Sequence, residues 1–308
     1  METARIFCAD LAGLRNQALG LAEAAKLAPD LRPLRFLPPW QRIPTNFWFN
    51  PRLAVGAEAF APPLPQVVMG AGGAGCRVAA TLRGRDVRAV AIQHPRMALA
   101  KFDLVFAARH DGISGENVVV TRTALHRVTQ ARLAAERAVW APRFAAHRRP
   151  LVAVLLGGAN GRYRFGASEA HALARQLAAI APEAGLVITP SRRTAPEVVE
   201  ILRAALEPLG AWIWDFTGEN PYFGMLACAD AIIATADSVS MVSEAVATSA
   251  PVYLVRLPGR SVRIGAFMDA LARDGRVRDF AGRLELWDTE PLDDTQMAGD
   301  ELRRRLGL

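Results

Sequence analysis

"TADSVSMVSEAVATSAPVYLV", residues 235–255, holds the end of a strand, a turn, a short helix and the next strand in one stretch. Its front edge closes the apolar run "AIIATA" (231–236). Continuous hydrophobicity of that kind suits a strand of a parallel sheet covered by helices on both faces. Ser238, Ser240 and their small neighbours make the turn. We expect a helix to begin near Ser240, with Glu244 one turn later on the same face. "PVYLV" (251–255) is the following strand. Strand, helix and strand in this order are the repeating grammar of a doubly wound α/β domain.

The same grammar extends in both directions. "LVAVLL" (151–156), "GLVITP" (185–190) and "AWIWDF" (211–216) read as strands. Helices between them carry Leu173, Leu177 and Ile180, then Val199, Leu202, Leu206 and Leu209, at helical spacing. Ser168 is the expected N-cap of the first of these helices. Thr194-Ala195-Pro196-Glu197 reads as a capping box for the second. Upstream, "RIFCAD" (5–10), "QVVMG" (66–70), "RAVAIQ" (88–93) and "FDLVFAA" (102–108) are further strands. A helix follows the first of them, with Leu14, Ala18, Leu21 and Ala25 on one stripe. The stretches "PLRFLPPW" and "TNFWFNPRLAVG" are broken by proline and read as irregular. We place a domain boundary near 147, giving an acceptor-side domain (1–147) and a donor domain (148–290). A last helix (291–308) has acids at its start and arginines at its end, and is expected to pack back on the first domain. The expected architecture is two Rossmann-like domains facing across a cleft.

Composition narrows the classes of function. The chain has 308 residues, 51% of them hydrophobic, and a net charge of +7. Lys26 and Lys101 are its only lysines, so the positive charge is almost all arginine, whose rigid fork suits phosphate. The arginines are scattered, and no RNP-like or finger spacing occurs, which argues against nucleic acid. No apolar run is long enough to span a membrane, and the start lacks a signal peptide's apolar stretch. Cys8, Cys76 and Cys228 stand far apart without CxxC spacing, which fits a reducing cytoplasm. No residues show metal-ligand spacing, and no metal or other cofactor is expected.

Ligands of doubly wound sheets bind beyond the carboxyl ends of the strands. Small residues at a helix start let backbone N–H groups approach an anion, and the helix dipole favours it. A carboxylate one turn further can accept hydrogen bonds from ribose hydroxyls. Ser238, Ser240 and Glu244 thus lay out a nucleotide diphosphate site, although a capped surface helix with a solvated glutamate has the same spacing.

Residues 220–255 resemble the donor-binding half of GT-B glycosyltransferases, in particular enzymes that move N-acetylglucosamine from a UDP donor to lipid-linked precursors. The resemblance implies that Tyr222 and Phe223, after Asn220, frame the base, that Ser238, Ser240 and Met241 take the diphosphate, and that Glu244 holds the ribose. A longer series of motifs spans most of the chain: "NQALGLAEA" (16–24), "QHPRMALAKFDLVFAARHD" (93–111), "NVVVTRTALHRVT" (117–129), "SRRT" (191–194) and "ENPYFGMLACADAIIATADSVSMVSEA" (219–245). Together they resemble the mitochondrial-fission "elongated mitochondria" family, whose bacterial members are described as nucleoside-diphosphate-sugar glycosyltransferases or epimerase-like proteins. Two features depart from the pattern. The first strand's loop reads "CADLAGLRNQ" where a glycine-rich loop with His or Glu is expected before Asn16-Gln17, and "TRTALHRVT" lacks a glycine before its alanine.

Other candidates follow from position. Gly157, Gly158 and Asn160 follow a strand and can admit a phosphate or serve a plain turn. Ser191, Arg192 and Arg193 end the next strand, where an arginine can fork onto a diphosphate or simply flank a helix. Direct sugar transfer needs a base for the acceptor hydroxyl. His110, Asp111 and His94, at strand ends of the first domain, are the candidates, with Asn16 and Gln17 on the acceptor side. "GAGGAGCRVAATL" (70–82) contains G-x-G-x-x-G, but the next strand ends Ile92-Gln93-His94 without the ribose-binding acid of a dinucleotide fold.

The leading expectation is a GT-B glycosyltransferase using a nucleotide-diphosphate sugar, with UDP favoured, on a lipid-linked or envelope acceptor. A non-catalytic adaptor and a UDP-sugar epimerase are the alternatives. The arginine-rich surface and "NFWFNPRL" (46–53) suggest peripheral contact with the inner face of a membrane, although Phe47 and Trp48 also suit a hydrophobic core.

Overall fold

The computed structural model describes residues 2–308. The chain forms two compact units, one running to Arg127 and resuming at Asp293–Leu308, the other Val128–Leu292. The first contains β1 (Thr3–Cys8), α1 (Ala12–Ala24), β2 (Ala28–Pro33), the single-turn α2 (Pro51–Ala54), β3 (Val67–Ala71), α3 (Gly72–Ala80), β4 (Arg88–Ile92), β5 (Leu104–Ala108) and β6 (Val118–Thr121). The second contains α4 (Gln130–Phe144), β7 (Leu151–Leu156), α5 (Ala167–Ile180), β8 (Gly185–Pro190), α6 (Pro196–Leu206) and β9 (Trp212–Ile213). It continues with α7 (Tyr222–Cys228), β10 (Ala231–Thr235), α8 (Val239–Val246), β11 (Val252–Val255), α9 (Val262–Arg273) and β12 (Val277–Asp279). The closing helix α10 (Thr295–Leu306) belongs to the first unit.

Each unit holds one six-stranded parallel sheet, ordered β2-β1-β3-β4-β5-β6 in the first and β12-β11-β10-β7-β8-β9 in the second. β7, β8 and β10 are buried at every residue, because helices cover both faces. Alternation sorts their side chains: Leu151, Ala153 and Leu155 join the core under α4, α7 and α8, while Val152, Val154 and Leu156 join the core under α5 and α6. Each fully buried leucine, isoleucine or valine contributes about 1.5–3 kcal/mol.

The break between units comes about twenty residues earlier than the expected 147. α4 packs on α7, burying Trp140 and Phe144 with Met225 and Leu226, and so belongs to the second unit. The closing helix buries Ala298 and Leu302 against Leu21 and Ala25 of the α1 region. Its first carboxylate, Asp294, takes the backbone N–H and forked guanidinium of Arg122.

Several local expectations shift. A strand that the sequence reading did not include, β2, holds Pro29, Asp30 and Pro33 and pairs in parallel with β1 along its whole length. An edge position tolerates proline. Burial raises the Asp30 carboxyl, but hydrogen bonds from Arg32 Nε at 2.8 Å and then Arg5 Nε at 2.9 Å hold it below the usual carboxylate range. The N-cap of α5 is Gly166, whose N–H bonds Glu169, so Ser168 lies inside the helix. α6 begins after Ala195, and the Thr194 hydroxyl serves other partners described below. The glycines of "GAGGAG" pack helix against strand: a Cβ on Gly75 would lie 2.1 Å from the Phe7 carbonyl oxygen.

Candidate functional site at the switch point of the second sheet

From β7 the chain builds outward in one direction through β8 and β9, and β10 to β12 lie on the other side. The order therefore reverses between β7 and β10, and crevices for ligands open beyond the carboxyl ends of strands at such a point. The two loops that flank it are those after Leu156 and after Thr235. They carry Gly157, Gly158 and Asn160 on one side, and Asp237 and Ser238 on the other.

Asp237 is the hub. It is 2% exposed, and its carboxylate accepts from the Thr235 hydroxyl at 2.7 Å, the Gly158 N–H at 3.2 Å and the Arg193 guanidinium at 2.9 Å. A buried carboxylate needs this many donors to offset the loss of hydration. The glycines make room for it, since a Cβ on Gly157 would fall 2.1 Å from Asp237 Oδ1 and one on Gly158 would fall 2.0 Å from the Arg193 carbonyl oxygen. Gly157 N–H donates to the Thr235 hydroxyl at 2.7 Å, and Asn160 Nδ2 donates to the Asp237 carbonyl at 3.2 Å. Thr194, expected as a helix cap, instead donates to the Gly157 carbonyl at 2.5 Å and accepts from Ser191 N–H at 2.9 Å. The loops after β7, β8 and β10 are thus tied into one polar floor. Sequence reasoning did not single out Asp237, although a carboxylate two residues past a buried, almost wholly apolar strand is a readable signal.

α8 rises from this floor. Ser238 is its N-cap, its hydroxyl accepting from Met241 N–H at 3.3 Å, so the helix starts at Val239 rather than at Ser240. Glu244 is 4% exposed, which removes the reading of a solvated surface glutamate. Its Oε2 accepts from the Tyr222 hydroxyl at 2.6 Å. Burial, and then the adjacent negative charge, push the Tyr222 phenol well above its ordinary value, so it stays a proton donor. Tyr222 opens α7, and its N–H is received by Asn220 Oδ1 at 3.0 Å. Phe223 meets the Tyr222 ring edge-on at 5.6 Å and carries the Arg132 guanidinium 4.6 Å over its face. Asn220, Tyr222, Phe223, Ser238, Ser240, Met241 and Glu244 therefore share the α7 and α8 starts. Arg192 is exposed, and its neighbour Arg193 is the arginine joined to the hub.

The first unit places its candidates differently. Its strand order reverses between β1 and β3, where the loop Ala9–Leu11 carries no histidine. His94 follows β4, and its Nδ1 accepts from Arg96 N–H at 2.9 Å. His110 and Asp111 form a single 3-10 turn after β5, both half-buried. Gln17 is buried on α1 and accepts from Gln93 at 3.2 Å, with Asn16 half-buried beside it. Among the described residues no group of three His, Cys, Asp or Glu side chains could hold a metal ion, and no helix is long and apolar enough to cross a membrane.

Known proteins resemble this chain at two levels. In fold, UDP-GlcNAc 2-epimerase from Methanocaldococcus jannaschii, solved with UDP-GlcNAc and UDP, matches with a TM-score of 0.58 at 12% identity, over 100% of this chain and 99% of that one. MnaA from S. aureus, solved with UDP, gives 0.56 at 12% over 98% and 87%. The glycosyltransferase SnogD from Streptomyces nogalater gives 0.52 at 18% over 100% and 96%. At these identities the likeness establishes a GT-B-like α/β fold. In sequence, the chain is 34% identical over 273 residues to the mitochondrial fission protein ELM1 of Arabidopsis thaliana, covering 79% of this chain and 64% of the relative. It is 30% identical over 172 residues to the uncharacterized protein RP120 of Rickettsia prowazekii, covering 53% of this chain and 48% of the relative. The chain thus spans about half to two thirds of the length of these curated relatives. The family model for mitochondrial fission ELM1 matches residues 12–306, almost the whole chain, and the protein belongs to that family.

Proposed function

We propose that the second unit binds a nucleotide-diphosphate sugar, most naturally a UDP-sugar, and that the protein transfers the sugar to a lipid-linked or envelope acceptor. The observation that carries this reading is Glu244, buried one turn into α8 and oriented by the Tyr222 phenol. A carboxylate fixed in that way accepts ribose hydroxyls without spending side-chain entropy. The diphosphate lies at the start of α8, where the dipole and the small residues Ser238 and Ser240 favour an anion. The UDP and UDP-sugar held by solved proteins of this fold support the choice of nucleotide.

The transfer itself draws on the first unit. His110, Asp111 and His94 are the groups proposed to take the acceptor hydroxyl's proton, His94 with its Nδ1 already accepting from Arg96 N–H. Phe47 and Phe49 are 69% and 80% exposed, and in this reading they rest on an anionic membrane surface that carries the acceptor, on the cytoplasmic side.

Family membership favours one second reading, an adaptor that keeps the fold and the nucleotide site but transfers nothing. Incubation with labelled UDP-sugars and a membrane extract separates the two. Sugar incorporated into lipid with release of UDP supports transfer. An epimerised UDP-sugar without incorporation replaces transfer by epimerisation. Nucleotide binding without either product leaves the adaptor.

A further inference from the structure

Beside the polar floor stands a ribbon of arginines that the nucleotide does not account for. The loop after β7 and the loop after β11 pair through an antiparallel bridge between Tyr163 and Gly259. Arg164 N–H donates to the Pro258 carbonyl at 2.8 Å, and Arg260 N–H donates to the Arg162 carbonyl at 3.1 Å. Residues 157–168 and 256–268 contain Arg162, Arg164, Arg256, Arg260 and Arg263, and neither stretch contains an aspartate or glutamate. Arg256 is engaged by Asp269 and Asp279. Among the described residues no carboxylate pairs with Arg162, Arg164 or Arg260, and all three are exposed. Arg162 Nη1 donates to the Ser261 hydroxyl at 3.3 Å, which steadies its guanidinium against the start of α9.

The ribbon is joined to the floor at one residue. Asn160 donates to the Asp237 carbonyl, and its own Oδ1 accepts from Arg162 and Tyr163 N–H at 3.2 Å each. Three stations therefore follow in order: Glu244 with Tyr222, the Ser238 start of α8, and the ribbon. A nucleotide sugar has the same order of parts, namely ribose, diphosphate and sugar. With the ribose at Glu244 and the diphosphate at Ser238, the sugar is the part left for the ribbon, which joins the floor at Asn160. Three uncompensated guanidinium groups there favour an anionic partner, and the forked geometry of arginine fits a carboxylate.

We propose that Arg162 and Arg260 select a donor whose sugar carries a carboxylate, of the hexuronate type. This rests on the nucleotide-sugar reading of Glu244, and the test keeps the two apart. UDP, UDP-glucose and UDP-glucuronate are titrated into the wild-type protein and into an Arg162→Gln/Arg260→Gln variant, with heat of binding as the readout. The expected result is that UDP-glucuronate binds wild type at least tenfold more tightly than UDP-glucose. The variant is expected to lose that advantage while holding UDP as wild type does. Equal affinity for the two sugars in wild type overturns the inference and leaves the nucleotide site standing. A variant that loses UDP itself also overturns it, because the arginines then serve the diphosphate. Failure of UDP and both sugars to bind the wild type removes the nucleotide-sugar reading and the inference with it.

Discussion

The carboxyl ends of the two sheets differ in how their polar groups are held. In the second unit the switch point carries a buried carboxylate, Asp237, with hydroxyl, amide and guanidinium donors from three loops closing on it. In the first unit the switch point falls between β1 and β3, while the candidate bases follow β4 and β5. One end is a preorganised site around the place where the order reverses. In the other, the polar candidates lie on separate strand ends, away from the place where the order reverses. In the proposed reading, the second unit holds the charged ligand and the first unit carries the candidate bases.

The contrast breaks most visibly if Asp237 is removed. Asp237→Ala should cost on the order of 3 kcal/mol, because the Thr235 hydroxyl and Gly158 N–H lose a buried acceptor and Arg193 loses its partner. Chemical denaturation of the variant measures this, and a loss below about 1 kcal/mol would show that the donors around Asp237 do not depend on it. Gly157→Ala comes next. Its Cβ is driven toward Asp237 Oδ1, with an expected loss of about 1–3 kcal/mol.

The Tyr222–Glu244 pair sharpens the comparison through pH. The folded state holds the Tyr222 phenol well above its ordinary value of 10.0. The folded protein therefore retains a proton there that the unfolded chain gives up near pH ~10. The stabilisation is fully present below that pH and is lost as pH rises through the folded value. Wild type should lose stability above pH ~10 more steeply than Tyr222→Phe, as read from denaturation midpoints in alkaline buffers. Parallel slopes would show that the phenol is not buried beside the Glu244 carboxylate.

The smallest effect on folding belongs to the exposed aromatics of the first unit. Phe47→Ser with Phe49→Ser should leave the unfolding free energy within about 0.5 kcal/mol of wild type, as exposed substitutions do. The same variant should bind anionic vesicles more weakly in a sedimentation assay. Undiminished binding would show that the bilayer is met elsewhere or not at all.

Much of this arrangement was legible in the sequence. Strands such as "LVAVLL" and "AIIATA" are buried on both faces, so their hydrophobicity is continuous, and the small-residue turn marks the helix start to within one residue. β2 was hidden because its pairing is decided by β1 and by Arg5, which lie outside its own sequence. The end of the first unit was misplaced because α4 has an ordinary amphipathic pattern, and only Trp140 and Phe144 packing on α7 assign it to the second. Asp237 and Arg193 were missed as a pair for a similar reason: 44 residues separate them, and the glycines that make room for Asp237 lie on a third loop.

The central claim is that Glu244 holds the ribose of a bound nucleotide. Calorimetric titration of UDP into wild type and Glu244→Ala, with GDP, ADP and CMP as controls, tests it most directly. The account predicts selective binding of UDP to wild type, and a loss of about 1.5–3 kcal/mol in the variant, the worth of a hydrogen bond to a charged group. Equal UDP affinity in the two folded proteins, or no nucleotide binding by wild type, would contradict it.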